Sequence, residues 1–167
     1  MKVSSRYKAG AAGAALLVAA TAYISSWEGR RYVPYLDVGN VLTVCDGHTG
    51  TDIIRGKRYT DAECDAILQK DIFDHEARLL ACAPQLVTVP CDTYNAINSW
   101  AFNVGTGNAC KSNLIRLVKA GDIRGACMQL SRWVYVKTKV VQGLLNRRVK
   151  GSLGRISEQE LCLRGVQ

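Results

Sequence analysis

The 167-residue chain has no cysteine before Cys45, no charged side chain from Ala9 to Trp27, and no acid among Met1 to Lys8. No two of its seven cysteines (Cys45, Cys64, Cys82, Cys91, Cys110, Cys127 and Cys162) stand in C-x-x-C spacing, and its two histidines, His48 and His75, lie far apart. Those absences argue against a zinc site. Finger spacing, an aromatic RNA-binding motif and a long basic helix are also missing, so the net charge of +8 is not read as a nucleic-acid surface. It suits an anionic cell wall or membrane face, or simply keeps the protein soluble. No internal repeat or low-complexity linker follows residue 28, and the length fits one domain or two small lobes sharing a cleft.

All seven cysteines follow the uncharged run, which points to an oxidising compartment for the body of the chain. At most three disulfides and one free thiol can form, and their pairing is not readable from spacing. Lys2, Arg6 and Lys8 precede the run, so the positive-inside pattern orients it with the body outside the cytoplasm. As a helix its nineteen residues span about 28 Å, close to the roughly 30 Å of a bilayer core. Alanine and glycine dominate it, and Leu16, Leu17, Val18 and Ile24 are its strongly apolar aliphatics. Such residues contribute only about 0.3 to 0.6 kcal/mol each to insertion, so the segment reads as a weakly held anchor that permits escape. Ala20-Thr21-Ala22 also fits the small-residue pattern of a cleaved signal peptide. A soluble amphipathic helix is disfavoured because no polar stripe runs along it. The expected division is an anchor at 1–27 and a body at 28–167.

Within the body, Pro34, Gly39-Asn40, Gly47, Gly50 and Gly56 punctuate short apolar pieces, predicting a small antiparallel sheet in a lobe at about 30–58. A mainly helical lobe at about 60–165 follows. Thr60-Asp61-Ala62-Glu63 forms a capping box for a helix to about Cys82. The spacing of Ala96, Ile97, Trp100, Ala101 and Val104 predicts a buried central helix from Cys91 to Val104, stopped by Gly105. Ser112 caps a helix through Lys119, Asp122 caps another through Trp133, and shorter helices cover Leu144 to Val149 and Glu158 to Leu163. The fold class is therefore α+β.

Glu28 and Asp37, one after the apolar run and one in the first turn region, suit two carboxylates facing each other across a cleft. Glycosidic hydrolysis needs a protonated acid for the leaving oxygen and an ionised partner across the sugar. Glu28, beside Trp27 and apolar sequence, is the better acid, because such surroundings disfavour its charged form. Asp37 remains to hold or deprotonate water, and the Thr43 hydroxyl can hold the same water. The spacing alone equally describes two surface acids in a loop.

Glu28-Gly29, Tyr35-x-Asp37, Thr43 and Gly47-His48 resemble the catalytic signature of phage-type lysozymes, a muramidase family. The resemblance continues through Phe102-Asn103-Val104-Gly105, Ser131-Arg132-Trp133 and Asn146-Arg147-Arg148. With its apolar N-terminus, the chain looks most like the signal-arrest-release endolysins of lambdoid phages. The resemblance implies a lysozyme-like fold and cleavage of peptidoglycan between N-acetylmuramic acid and N-acetylglucosamine, with inversion. It implies Glu28 as general acid, Asp37 as water-positioning carboxylate and Thr43 as third member, with no metal and no other cofactor. His48, Asn103, Ser112 and Arg147 are candidate substrate contacts, although His48 at a strand end more often makes a structural ion pair or hydrogen bond, and Arg147 or Arg148 could pair with Glu28 across the cleft or simply be solvated. The implied partners are peptidoglycan, the secretion machinery and, transiently, the host inner membrane, for a monomer that ends soluble in the periplasm. Residues 134–141, rich in β-branched side chains, depart from the glycine-bearing loop of relatives. The missing cysteine before residue 45 rules out restraint by a disulfide that an anchor thiol later reshuffles. An ordinary secreted lysozyme, cleaved after Ala22, and a non-catalytic wall-binding protein are the rival readings.

Overall fold

A computed structural model describes residues 4–37 and 39–166; Lys2, counted above among the N-terminal basic residues, lies outside them. The apolar run forms α1 (Gly10–Trp27). Its alanines favour helix, and the Thr21 hydroxyl donates back to the Leu17 carbonyl at 2.8 Å. Gly13, Leu17, Ala20, Thr21 and Ile24 are buried, a 3.6-residue spacing that turns one face onto the body, against α2 (Asp61–Cys82) and α3 (Cys91–Val104). Its outer face is mostly alanine together with Val18, which is exposed. The helix thus buries one face although no polar stripe marks the other. By length and composition α1 also suffices to cross a membrane. A 3-10 turn, Arg6–Lys8, precedes it and folds back so closely that a Cβ on Gly13 would meet the Arg6 carbonyl oxygen at 2.5 Å.

Glu28 ends α1 in an extended conformation, and the chain enters a three-stranded antiparallel sheet: β1 (Arg31–Leu36), β2 (Leu42–Cys45) and β3 (His48–Thr49), in that spatial order. Pro34 sits on the edge strand, between Arg31 and Tyr35 where the register shifts, a place that does not need its missing N–H. The expected capping box opens α2: Glu63 N–H donates to Thr60 Oγ1 at 3.3 Å and Thr60 N–H to Glu63 Oε2 at 2.8 Å. Next comes α3, buried along most of its length, whose fully buried Trp100 stacks edge-on with Trp133 at 5.1 Å. It stops at Gly105, whose φ of +80° lies in the region glycine favours.

The remaining helices are α4 (Thr106–Cys110), α5 (Asn113–Lys119), α6 (Ile123–Met128), α7 (Gln142–Leu145) and α8 (Glu158–Arg164). The helix expected to run from Asp122 through Trp133 stops at Met128 and tightens into a 3-10 turn, Gln129–Arg132, a common way to finish a helix. Residues 134–141 contain a two-stranded hairpin, β4 (Tyr135–Val136) and β5 (Lys139–Val140), as β-branched side chains favour. After α7 the chain widens into a π turn, Asn146–Lys150. Disulfides join Cys45 to Cys64, Cys82 to Cys110 and Cys127 to Cys162, leaving Cys91 as the free, exposed thiol. The main core surrounds α3, and a smaller one of Val44, Ile53, Tyr59 and the Cys45–Cys64 bridge lies under the sheet.

Candidate active site

Glu28 owes its position to α1: its backbone N–H still donates to the carbonyls of Ile24 and Ser25, so its carboxylate leaves the last turn of that helix. Arg30, two residues on, ties this corner to both lobes. Its guanidinium contacts Asp46 at 2.8 Å, Asp61 at 3.0 Å and Asp65 at 2.6 Å, and Ser25 donates to the same Asp46 at 2.7 Å. Despite the cost of its partial burial, these carboxylates hold the Arg30 proton more firmly than usual.

The Glu28 carboxylate, 22% exposed, lies 2.6 Å from Arg147 Nη1. Its surroundings are thus an ion pair as well as apolar Trp27, and of the two arginines that could pair with it Arg147 does so. Arg147 and Arg148 are both buried. Arg147 Nε donates to Glu158 Oε1 at 2.9 Å and Nη2 reaches the Ser99 carbonyl at 3.3 Å. Arg148 Nη1 donates to Glu158 Oε2, and Nη2 to Asn103 Oδ1 at 2.5 Å. Burial works against the charge of both guanidinium groups. For Arg147 the charges of Glu158 and Glu28 outweigh it and raise the pKa, whereas Arg148, with Arg147 also against it, ends below the ordinary arginine value. A cavity of about 340 Å³ opens here, lined by Trp27, Glu28, Asn103, Leu144, Arg147 and Arg155.

Asp37 and Thr43 belong to the β1–β2 hairpin, and both are fixed on Val41. Asp37 Oδ1 accepts from the N–H groups of Gly39 at 2.8 Å and Val41 at 2.9 Å, and the buried Thr43 hydroxyl donates to the Val41 carbonyl at 3.0 Å. His48 lines a second cavity, of about 590 Å³, with Asp52, Lys70, Asp71, His75 and Phe102. Consecutive residues of α3, Phe102 and Asn103, line the larger and the smaller cavity. The His48 ring sits between Asp71 at 2.8 Å and Asp52 at 3.0 Å. Burial pulls its pKa down, but the two carboxylates prevail and raise it.

Of the seven residues singled out, then, Glu28, Asn103 and Arg147 share one cavity, Asp37 and Thr43 share the β1–β2 hairpin, and His48 lines the larger cavity. Ser112 belongs to neither: its hydroxyl caps α5 through the Ile115 N–H at 3.1 Å and borders a separate hollow with Lys111 and Arg116. The sequence reading missed Glu158 and Ser99. The available signal was the Arg147-Arg148 pair beside Leu144, Leu145 and Val149, since arginines that such a stretch buries are almost always paired with a carboxylate.

A small sheet and a helical lobe, with a glutamate presented at the end of the first helix, define a lysozyme-like protein. The sequence profile of the phage lysozyme family matches residues 25–151, and the chain belongs to that family. The SAR-endolysin of Bacteriophage PS119 is 46% identical over 145 residues, covering 84% of this chain and 78% of its own. The active form of the P1 phage endolysin Lyz superposes with a TM-score of 0.72 at 26% identity, over 89% of this chain and 85% of that one. P22 lysozyme, at 22% identity, shares the fold with a TM-score of 0.74, over 87% and 95% of the two chains. The chain is a glycoside hydrolase of the lysozyme kind, from a family that acts on peptidoglycan.

Proposed function

We propose that this chain is an endolysin muramidase that hydrolyses the β-1,4 bond between N-acetylmuramic acid and N-acetylglucosamine, inactive while α1 spans the host inner membrane and active once released to the periplasm. Glu28 protonates the leaving glycosidic oxygen. Asp37 and Thr43 hold a water that attacks the anomeric carbon from the opposite face with inversion, its proton passing to Asp37. The observation that carries the reading is that Glu28 is the C-terminal cap of an apolar helix. While α1 is in the bilayer, Glu28 is pinned at the membrane surface, away from Arg147 and the hairpin. When α1 leaves, the same segment packs on α2 and α3 and delivers the acid. The disulfides fit a periplasmic body, and the name carried by the PS119 relative fits arrest and release. Cleavage after Ala22 would remove the buried Leu17, Ala20 and Thr21, which speaks against the rival secreted form.

Clearing of outer-membrane-permeabilised cells, with mass spectrometry of the released fragments, tests the chemistry. The parent should clear and yield fragments with N-acetylmuramic acid at the reducing end, whereas folded Glu28→Gln should not clear. Activity of that variant within about tenfold of the parent sinks the acid role.

A further inference from the structure

Glu158 is fully buried, yet it never touches the cavity that holds Glu28. It opens α8 behind Ser157, and its two oxygens take hydrogen bonds from Arg147 Nε at 2.9 Å, Ser99 Oγ at 2.7 Å and Arg148 Nη1. The same Arg147 guanidinium turns its Nη1 end to Glu28 at 2.6 Å. One planar cation is thus shared between an interior carboxylate and the candidate acid at the cavity wall. The interior is rich in cation: two arginines face one glutamate, and Arg148 Nε has no hydrogen-bond partner among the described residues.

We propose that Glu158 is a positioning residue for the general acid: its carboxylate offsets one of the two cations of the Arg147–Arg148 pair and fixes the Arg147 fork that orients Glu28. This rests on the reading of Glu28 as the acid. A carboxyl group serves as general acid only while it carries a proton, and an opposite charge nearby favours its ionised form. Counted by formal charge, Arg147, Arg148 and Glu158 together present one net positive charge to Glu28, and an uncharged side chain at position 158 would make it two.

The other groups packed around the cluster do not supply that balance. Tyr23 of α1 donates to the Ile156 carbonyl at 3.1 Å, and its pKa is pushed above the ordinary tyrosine value, chiefly by burial, so it stays neutral. Arg155 stacks on Trp27 at 4.4 Å and adds a further positive charge beside the cavity. From α3 come only the uncharged Ser99 and Asn103. On α8, the exposed Glu160 is paired with Arg164 at 2.7 Å, and Asp46 beyond α1 is engaged by Arg30.

The test is the pH profile of kcat and KM on solubilised glycan strands for the parent, Glu158→Gln, Arg148→Met and the double variant, each checked by thermal melting. Removing the anion should move the alkaline limb down by about one pH unit, lowering kcat near neutrality about tenfold with KM little changed. Arg148→Met, which removes a cation that does not touch Glu28, should move the limb the opposite way, and the double variant should return it toward the parent. If Glu158→Gln fails to fold, the Arg148→Met and double profiles still decide. A lower melting temperature with the limb unmoved, or both single variants shifting it in one direction, overturns the proposal and leaves Glu158 a purely structural anchor. The underlying acid assignment fails separately, if Glu28→Gln stays active.

Discussion

The Tyr7 hydroxyl donates to Asn95 Oδ1 at 3.1 Å, joining the turn before α1 to the middle of the central helix. Tyr7 is 2% exposed, edge-on to Tyr94 at 5.3 Å, while the neighbouring Arg6 donates to the Val89 carbonyl at 2.5 Å. On the proposed topology these partners lie on opposite sides of the bilayer before release, so the contact belongs to the released state alone. Removing the ring should cost about 3 kcal/mol, as truncation of a buried aromatic does, and removing only the hydroxyl about 1 kcal/mol. Urea melts of Tyr7→Ala and Tyr7→Phe measure both. A loss below about 0.5 kcal/mol for Tyr7→Ala, the range of ordinary surface changes, contradicts this docking.

The outer face of α1 allows retention to be separated from packing. Ala12, Ala15 and Ala19 are exposed when the helix is docked, so leucine there leaves the body undisturbed but favours the bilayer by up to about 2 kcal/mol in all. The triple variant should stay in the membrane fraction and delay lysis of the expressing cell, while the same protein, once extracted, keeps its wall-clearing activity. Unchanged fractionation and lysis timing would remove the case for a membrane-held state.

His48 gives the fold a pH dependence of known sign. Its pKa is raised by Asp52 and Asp71 against the effect of burial, so the protonated ring is favoured in the folded state. That contribution is fully present below the unfolded value of about 6.5 and fades as pH rises through the folded value. Denaturant melts of the parent and His48→Gln should therefore differ more at about pH 5.5 than at about pH 8.5. A difference that grows toward alkaline pH refutes the pairing.

Most of what was legible in the sequence was local. The Thr60–Glu63 box, the Ser112 and Asp122 caps and the stop at Gly105 depend on residues within one helical turn, and each appears where the spacing put it. Which face of α1 is buried was not legible, because the inner face (Gly13, Leu17, Ala20, Thr21 and Ile24) and the outer face of alanines and Val18 are alike in polarity. The Arg147–Glu28 pair, 119 positions apart, was on offer in the sequence and is formed. Its buried partner escaped, because Glu158, standing just after the cap residue of α8, has the ordinary appearance of an acid favoured by the helix dipole. Ser112 carried two readings, substrate contact and helix cap, and its hydroxyl caps α5 as the second reading has it.

The three disulfides divide between the lobes, which predicts different effects on activity. Cys45–Cys64 ties β2, which carries Thr43, to α2, whereas Cys127–Cys162 joins α6 to α8 within the helical lobe. Both close loops of comparable length, separations of 19 and 35 residues, so chain entropy predicts losses of about 3 to 4 kcal/mol for either. Geometry predicts unequal kinetics. Replacing Cys45 and Cys64 by alanine should loosen the hairpin that holds Asp37 and Thr43 relative to the helix end that holds Glu28. In catalysis, misplacement by about 1 Å costs about a hundredfold. Replacing Cys127 and Cys162 should lower stability with kcat retained at temperatures where the fold persists. The check is kcat at a fixed interval below each variant's Tm; equal kcat in the two variants would mean that the sheet is held to the helical lobe by Arg30 and its three carboxylates rather than by the bridge.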